Sequence, residues 1–129
     1  MSKETRDKKR EIILASALTV MTKKGYYNST MDDIVKESNM SKGAIYHYFS
    51  SKKEVYLDVI DYWERKYTDI MAEEVNKQKT AMKSLKTLFK TFGEQMKKDP
   101  TPYECLPIFW SITSNDKDFK NTMQKVYNR

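Results

Sequence analysis

The 129-residue chain has only three glycines and three prolines, where average usage would give roughly 15 between them. So few chain-breakers argue against a turn-rich β-sandwich or barrel and predict long helices. There is one cysteine, Cys105, which excludes an internal disulfide framework and any multi-cysteine zinc site and makes a reducing compartment the default. No apolar run approaches the ~18 residues that span a bilayer. The N-terminal MSKETRDKKREIILASALTV starts basic, but Ser16 and Thr19 break its apolar segment and it runs on into a polar helix, so it does not read as a signal peptide. The expectation is a soluble, cytoplasmic protein with no membrane partner. No Gly-rich phosphate loop, metal cluster or nucleophile–base pair is readable, so no enzyme activity, catalytic residue, metal site or cofactor is expected.

What is present points the same way. The chain carries 24 Lys+Arg against 18 Asp+Glu, and charged residues make up 33% of it, above the typical ~25%. A helical bundle with much exposed surface has this composition, and so does a chain whose last apolar helices are missing. The length fits one ordinary domain or two very small ones.

Helical spacing of Ile13, Ala17, Val20 and Met21 predicts a first helix over residues 9–24, stopped by Gly25 as a left-handed C-cap. Thr30, followed three residues later by Asp33, resembles a capping box that opens a short helix from Met31 to about Ser38. Asn39 suits the left-handed turn that ends it, and Ser41 caps a third helix, Lys42 to Tyr48. After Ser50-Ser51, a helix without Gly or Pro runs from Lys52 to about Lys77, with Tyr56, Ile60, Trp63, Tyr67, Ile70 and Glu74 three or four apart. That face is expected to be buried for most of its length. Met82, Leu85, Phe89, Phe92 and Met96 mark a fifth helix. Tyr103–Thr113 is a sixth, with Pro107 either in its first turn or at a kink. Phe119, Met123 and Val126 mark the last.

Two short helices joined by a three-residue turn form a helix-turn-helix pattern. Residues 38–53, SNMSKGAIYHYFSSKK, contain no acidic residue but three Lys, one His, two Tyr and four Ser. Phosphate repels carboxylates and rewards Lys, hydroxyls and free helix N–H groups, so this composition suits a nucleic-acid face. A bundle helix with a solvated polar face is the plainer alternative. Adjacent Asp32 and Asp33 point about 100° apart on a helix, so favourable charge at a helix N-terminus explains them better than paired catalysis does. Lys3, Lys8, Lys9 and Arg10 form either a flexible arm or a frayed terminus.

The stretch GYYNSTMDDIVKESNMSKGAIYHYFSSKKEVYLDVI, preceded by IILASALTVM, resembles the DNA-binding domain of TetR-family transcriptional regulators over about residues 9–62. Asn39, Met21 and Ser16 depart from the family's usual Gly, Phe and Ala. The resemblance implies an all-α fold in which a helix-turn-helix head, residues 1–52, is joined by the long fourth helix to a partial helical ligand-binding and dimerisation domain, residues 53–129. It implies that Thr30 bonds a phosphate and that Ser41, Lys42, Gly43 and Ala44 face the major groove. Lys42 is the candidate base reader, because a Lys can reach guanine O6/N7. Tyr46 and His47 would pack on the sugar-phosphate backbone, and Lys52 would pin a phosphate. Ile34, Ile45, Tyr48 and Phe49 would form the core of the head.

The family's second half forms a small-molecule pocket, for which Trp63, Tyr67, Phe89, Phe92, Tyr103, Phe109 and Trp110 are the candidate lining residues; ordinary core packing is the alternative for each. Cys105 is either a sensor or an inert core thiol. The expected function is a ligand-responsive repressor that binds double-stranded DNA at a palindromic operator as a homodimer. The alternative is a shortened regulator that works as a heterodimerising module without its own operator. Family members are usually longer, so the chain is expected to be a fragment or a naturally short form.

Overall fold

The computed structural model describes residues 2–129. Seven helices follow one another: α1 Lys3–Asn28, α2 Met31–Ser38, α3 Lys42–Tyr48, α4 Lys52–Asn76, α5 Ala81–Lys98, α6 Thr101–Thr113 and α7 Lys117–Tyr127. No strand occurs among the described residues, and the all-α architecture is the one expected.

Local chemistry accounts for most helix ends. Thr30 Oγ1 accepts the Asp33 N–H at 3.1 Å while Asp33 accepts the Thr30 N–H at 2.9 Å, a complete capping box. Asn39 adopts φ 55°, ψ 22° and ends α2. Ser41 and Ser51 cap α3 and α4 by accepting the N–H groups of Ala44 and Glu54.

The first helix starts earlier than its apolar spacing suggests. Ser2 accepts the Thr5 N–H and caps it, and Glu4 pairs with Lys8 at 2.8 Å. Lys3, Lys8 and Lys9 therefore sit in regular helix, neither in an arm nor in a frayed end, and Arg10 turns inward to Asp58 of α4. Gly25 interrupts the helix at φ 75°, ψ 176°. Its ψ is far from the left-handed helical value, so one further turn follows instead of a stop. Pro102 occupies the start of α6, which leaves Pro107 in the helix interior.

One buried cluster holds the molecule together. Ile13, Leu14, Ala17, Leu18, Val20 and Met21 of α1 form its spine. Met31, Ile34, Ile45 and Phe49 pack on it from the helix-turn-helix, Val55, Tyr56, Val59 and Ile60 from α4, and Cys105, Phe109, Ile112, Phe119 and Met123 from α6 and α7. The Tyr56 hydroxyl donates to the Ala17 carbonyl at 3.1 Å, and burial pushes this phenol up to about 12. Cys105 is fully buried beside Thr22 and Leu18, and burial raises its thiol pKa, which is the chemistry of a core thiol.

One expectation needs correction. On α4, full burial stops at Ile60, and Trp63, Tyr67, Ile70 and Glu74 are only half-buried. The distal half of α4 is covered on one side by α5, whose least exposed positions are the small or polar Ser84, Thr87, Thr91 and Gln95. The apolar row of α5 (Met82, Leu85, Phe89, Phe92 and Met96) is exposed, because its spacing places it on a different face from the one that meets α4.

Candidate functional site

The second helix of the helix-turn-helix is anchored from within and open without. Ile45 and Phe49 fix it in the core, while Lys42, Gly43, Tyr46 and His47 are exposed and Ala44 is half-buried. A Cβ placed on Gly43 would meet no atom within 4 Å, so the fold itself does not require glycine there. Ser41 is exposed at the N-cap with its oxygen engaged by Ala44 N–H. Thr30 is likewise exposed, and since its oxygen accepts from Asp33 N–H, its hydroxyl hydrogen remains free to donate outward.

The charges on this face are lightly held. Lys42 Nζ lies 3.2 Å from Asp32 and 6.0 Å from the Tyr46 ring centre, with its side chain well exposed. Asp33 is pinned by Lys24 at 2.9 Å and by Thr30, and these hydrogen bonds hold its carboxyl below the usual range. The ring of His47 meets the edge of Tyr48 at 5.5 Å.

Lys52, to which the resemblance gives a phosphate, is engaged within the fold. Its ammonium donates to the Tyr26 carbonyl at 2.8 Å and sits 4.4 Å from the Tyr26 ring centre. It is half-buried, and desolvation lowers its pKa. The helix break at Gly25 brings the Tyr26 carbonyl to this point. Its neighbour Lys53 turns the other way and binds Asp116 at 3.0 Å and Asp118 at 2.6 Å. The first turn of α4 is thereby clamped to the first turn of α7.

A cavity of about 370 Å³ lies among α1, α4, α6 and α7. Five of the seven aromatic candidates line it: Trp63, Tyr67, Tyr103, Phe109 and Trp110. Phe89 and Phe92 do not. Phe89 is 69% exposed on the open face of α5, and Phe92 reaches only the edge of Tyr103, at 4.9 Å. The aromatic spacing did not single out Leu18, Val59, Leu106, Met123, Val126 and Tyr127, which also line the wall. Tyr127 carried the same aromatic signal as its neighbours; Leu18 carried none, because its place depends on α6 crossing α1. No group of three or more His, Cys, Asp or Glu side chains among the described residues is arranged to hold a metal ion.

Known proteins resemble this chain in the sequence of its head and in its fold. Residues 13–59 match the family model of bacterial regulatory proteins, tetR family. An HTH-type transcriptional regulator of Bacillus subtilis, YfiR, itself uncharacterized, is 43% identical over 61 residues, 47% of this chain and 30% of its own length. IcaR, the negative transcriptional regulator of the icaADBC biofilm operon in Staphylococcus aureus, is 40% identical over 47 residues, 36% of this chain and 25% of its own length. The matched segment thus spans a third or less of these relatives. The solved structure of a TetR family transcription regulator from Marinobacter aquaeolei superposes with a TM-score of 0.85 at 16% identity, over 98% of this chain and 67% of that one. At that identity the superposition speaks for the fold.

Proposed function

We propose a function on the premise that the helix-turn-helix head of this chain belongs to the TetR family of bacterial regulatory proteins. The chain is a DNA-binding transcriptional regulator of the cytoplasm, a repressor that reads a two-fold symmetric operator as a dimer. The observation that carries this reading is the outward face of α3, acid-free and exposed at Lys42, Gly43, Tyr46 and His47 while Ile45 and Phe49 hold the helix in the core. Ser41, Lys42, Gly43 and Ala44 face the major groove, where Lys42 reads a base edge, and Thr30, Tyr46 and His47 hold the backbone. The cavity among α1, α4, α6 and α7 takes a small-molecule inducer. Leu18, Val59 and Ile60 belong both to the cavity wall and to the core under the head, which gives ligand and head a shared set of contacts.

A two-fold operator needs two heads, and a second copy of this chain supplies the other. The exposed row Met82, Leu85, Phe89, Phe92 and Met96 supports α5 as the contact between copies. Selection from random duplex DNA tests the proposal. Enrichment of an inverted repeat is the expected result, and no enrichment over the starting pool contradicts it. The exposed α5 row also favours a second reading, a module that pairs with a longer regulator and binds DNA only beside it. Monomeric behaviour alone, with duplex binding gained on adding a second regulator, would select that reading.

A further inference from the structure

An ion pair on the open side of the head joins the first turns of α2 and α3, and this inference about it deepens and rests on the DNA-reading part of the proposed function. Lys42 Nζ lies 3.2 Å from Asp32 Oδ1, with the two side chains 64% and 67% exposed. Asp32 stands two positions after Thr30, and Lys42 follows Ser41 directly. Beyond a favourable charge at the helix start, the fold makes little use of Asp32. Its neighbour Asp33 completes the capping box of α2 and binds Lys24, and an ion pair as open as that of Asp32 adds little to stability. A carboxylate beside a residue that holds phosphate also repels the duplex. Asp32 therefore weakens binding unless it gains a partner there.

The pair matches one edge of the duplex. Guanine shows O6 and N7 as acceptors in the major groove, and its partner cytosine shows the N4 amino group as a donor. Cytosine N4 and guanine O6 are hydrogen-bonded to each other, which sets them about 2.9 Å apart. Lys42 Nζ and Asp32 Oδ1 offer the complementary donor and acceptor at nearly the same spacing. An ammonium has three hydrogens, so Lys42 can keep Asp32 and still donate to both O6 and N7.

Other base pairs fit less well. An A·T pair also sets a donor, adenine N6, beside an acceptor, thymine O4, but the thymine methyl group stands where Lys42 would need its second acceptor. Reversing the G·C pair puts the cytosine amino group against the ammonium and the guanine oxygen against the carboxylate. We propose that Asp32 is a second base-reading residue: with Lys42 it reads one G·C pair in each half-site, Lys42 donating to guanine O6 and N7 and Asp32 accepting from cytosine N4.

Selection from random duplex DNA, run on the full chain and on Asp32→Ala, supplies the sites, and substituted bases then find the pair. N4-methylcytosine replaces the outward N4 hydrogen by a methyl group, and 7-deazaguanine removes N7. At one G·C pair of each half-site, the methylated base should weaken the unaltered chain about tenfold and leave Asp32→Ala unaffected. At the partner base, 7-deazaguanine should weaken the unaltered chain and spare Lys42→Ala. Asp32→Ala should bind random duplex more tightly, since a negative charge has gone, while its preference for the selected site falls about tenfold. Circular dichroism checks that the variants keep their helices. Should one unfold, the two substituted bases acting at the same pair in the unaltered chain carry the test. An inverted repeat with no such pair would overturn the assignment alone. So would equal weakening of both proteins by the methylated base at every cytosine, or an unchanged site preference in Asp32→Ala. No enrichment of any inverted repeat would defeat the regulator reading, and this assignment with it.

Discussion

At Gly43 the effects of one substitution on folding and on DNA binding are expected to part. The residue lies in the first turn of α3, with nothing near the position its Cβ would take. Within the fold, Gly43→Ala removes backbone freedom from the unfolded chain and should stabilise by about 0.5–1 kcal/mol. If the α3 backbone lies against base edges, the same methyl group should weaken duplex binding. Thermal unfolding and DNA titration of this one variant therefore move in opposite directions; a stabilised protein with unchanged DNA affinity would take Gly43 away from the groove. Lys42→Ala should lose about 1–3 kcal/mol of discrimination between selected and random duplex. Equal loss on both would make Lys42 a backbone contact. The residues legible in the sequence are those whose partners lie three or four positions away: Thr30 with Asp33, Ser41 with Ala44, Asn39 at its turn. Lys52 was not legible, because its partner is the carbonyl of Tyr26, across the whole helix-turn-helix. Lys52→Ala should consequently lower stability as well as any DNA affinity, a coupling visible in thermal unfolding.

At the scale of elements, the clamp between α4 and α7 has a defined pH dependence. The Lys53 hydrogen bond holds Asp116 below its ordinary value of 3.8, and Asp116 also caps α7 by accepting from Asp118 and Phe119 N–H groups. A carboxylate with a depressed folded-state pKa contributes stability above its unfolded value, and that contribution is lost as pH falls through the folded one. The unfolding temperature should therefore drop below about pH 4, and Asp116→Asn, which keeps a capping side chain, should flatten part of that drop. An identical acid profile for the variant would remove the clamp from the account. All seven helices were legible in outline, because apolar spacing and capping residues are local signals. Burial along α4 was not. Five of the six spaced positions on α4 are apolar or aromatic, yet only Tyr56 and Ile60 among them are fully buried, since burial depends on which neighbour meets the face. On α5, small polar residues meet α4 while the apolar row stays open.

Across the whole molecule, charge is unevenly spread. Residues 1–52 carry ten basic side chains against six acidic, residues 53–76 three against seven, and residues 77–98 seven lysines against one glutamate. Two opposing electrostatic responses follow. Lys83, Lys86 and Lys90 neighbour the apolar row of α5, so pairing of two copies there brings like charges together and should strengthen as salt screens them. Sedimentation velocity at low and high salt checks this, and a monomer at every salt and protein concentration would rule the pairing out. DNA binding should respond the other way. The head's surface was legible from its composition, but the packing of α6 on α1, which makes one core of both halves, joins residues more than eighty positions apart and leaves no local trace. The central claim, that the open face of α3 seats on duplex DNA, is tested most directly by the salt dependence of binding to a selected duplex. The expected result is a straight line of log affinity against log salt, falling by about 0.9 for each phosphate neutralised; a flat line, or no duplex binding at low salt, would contradict it.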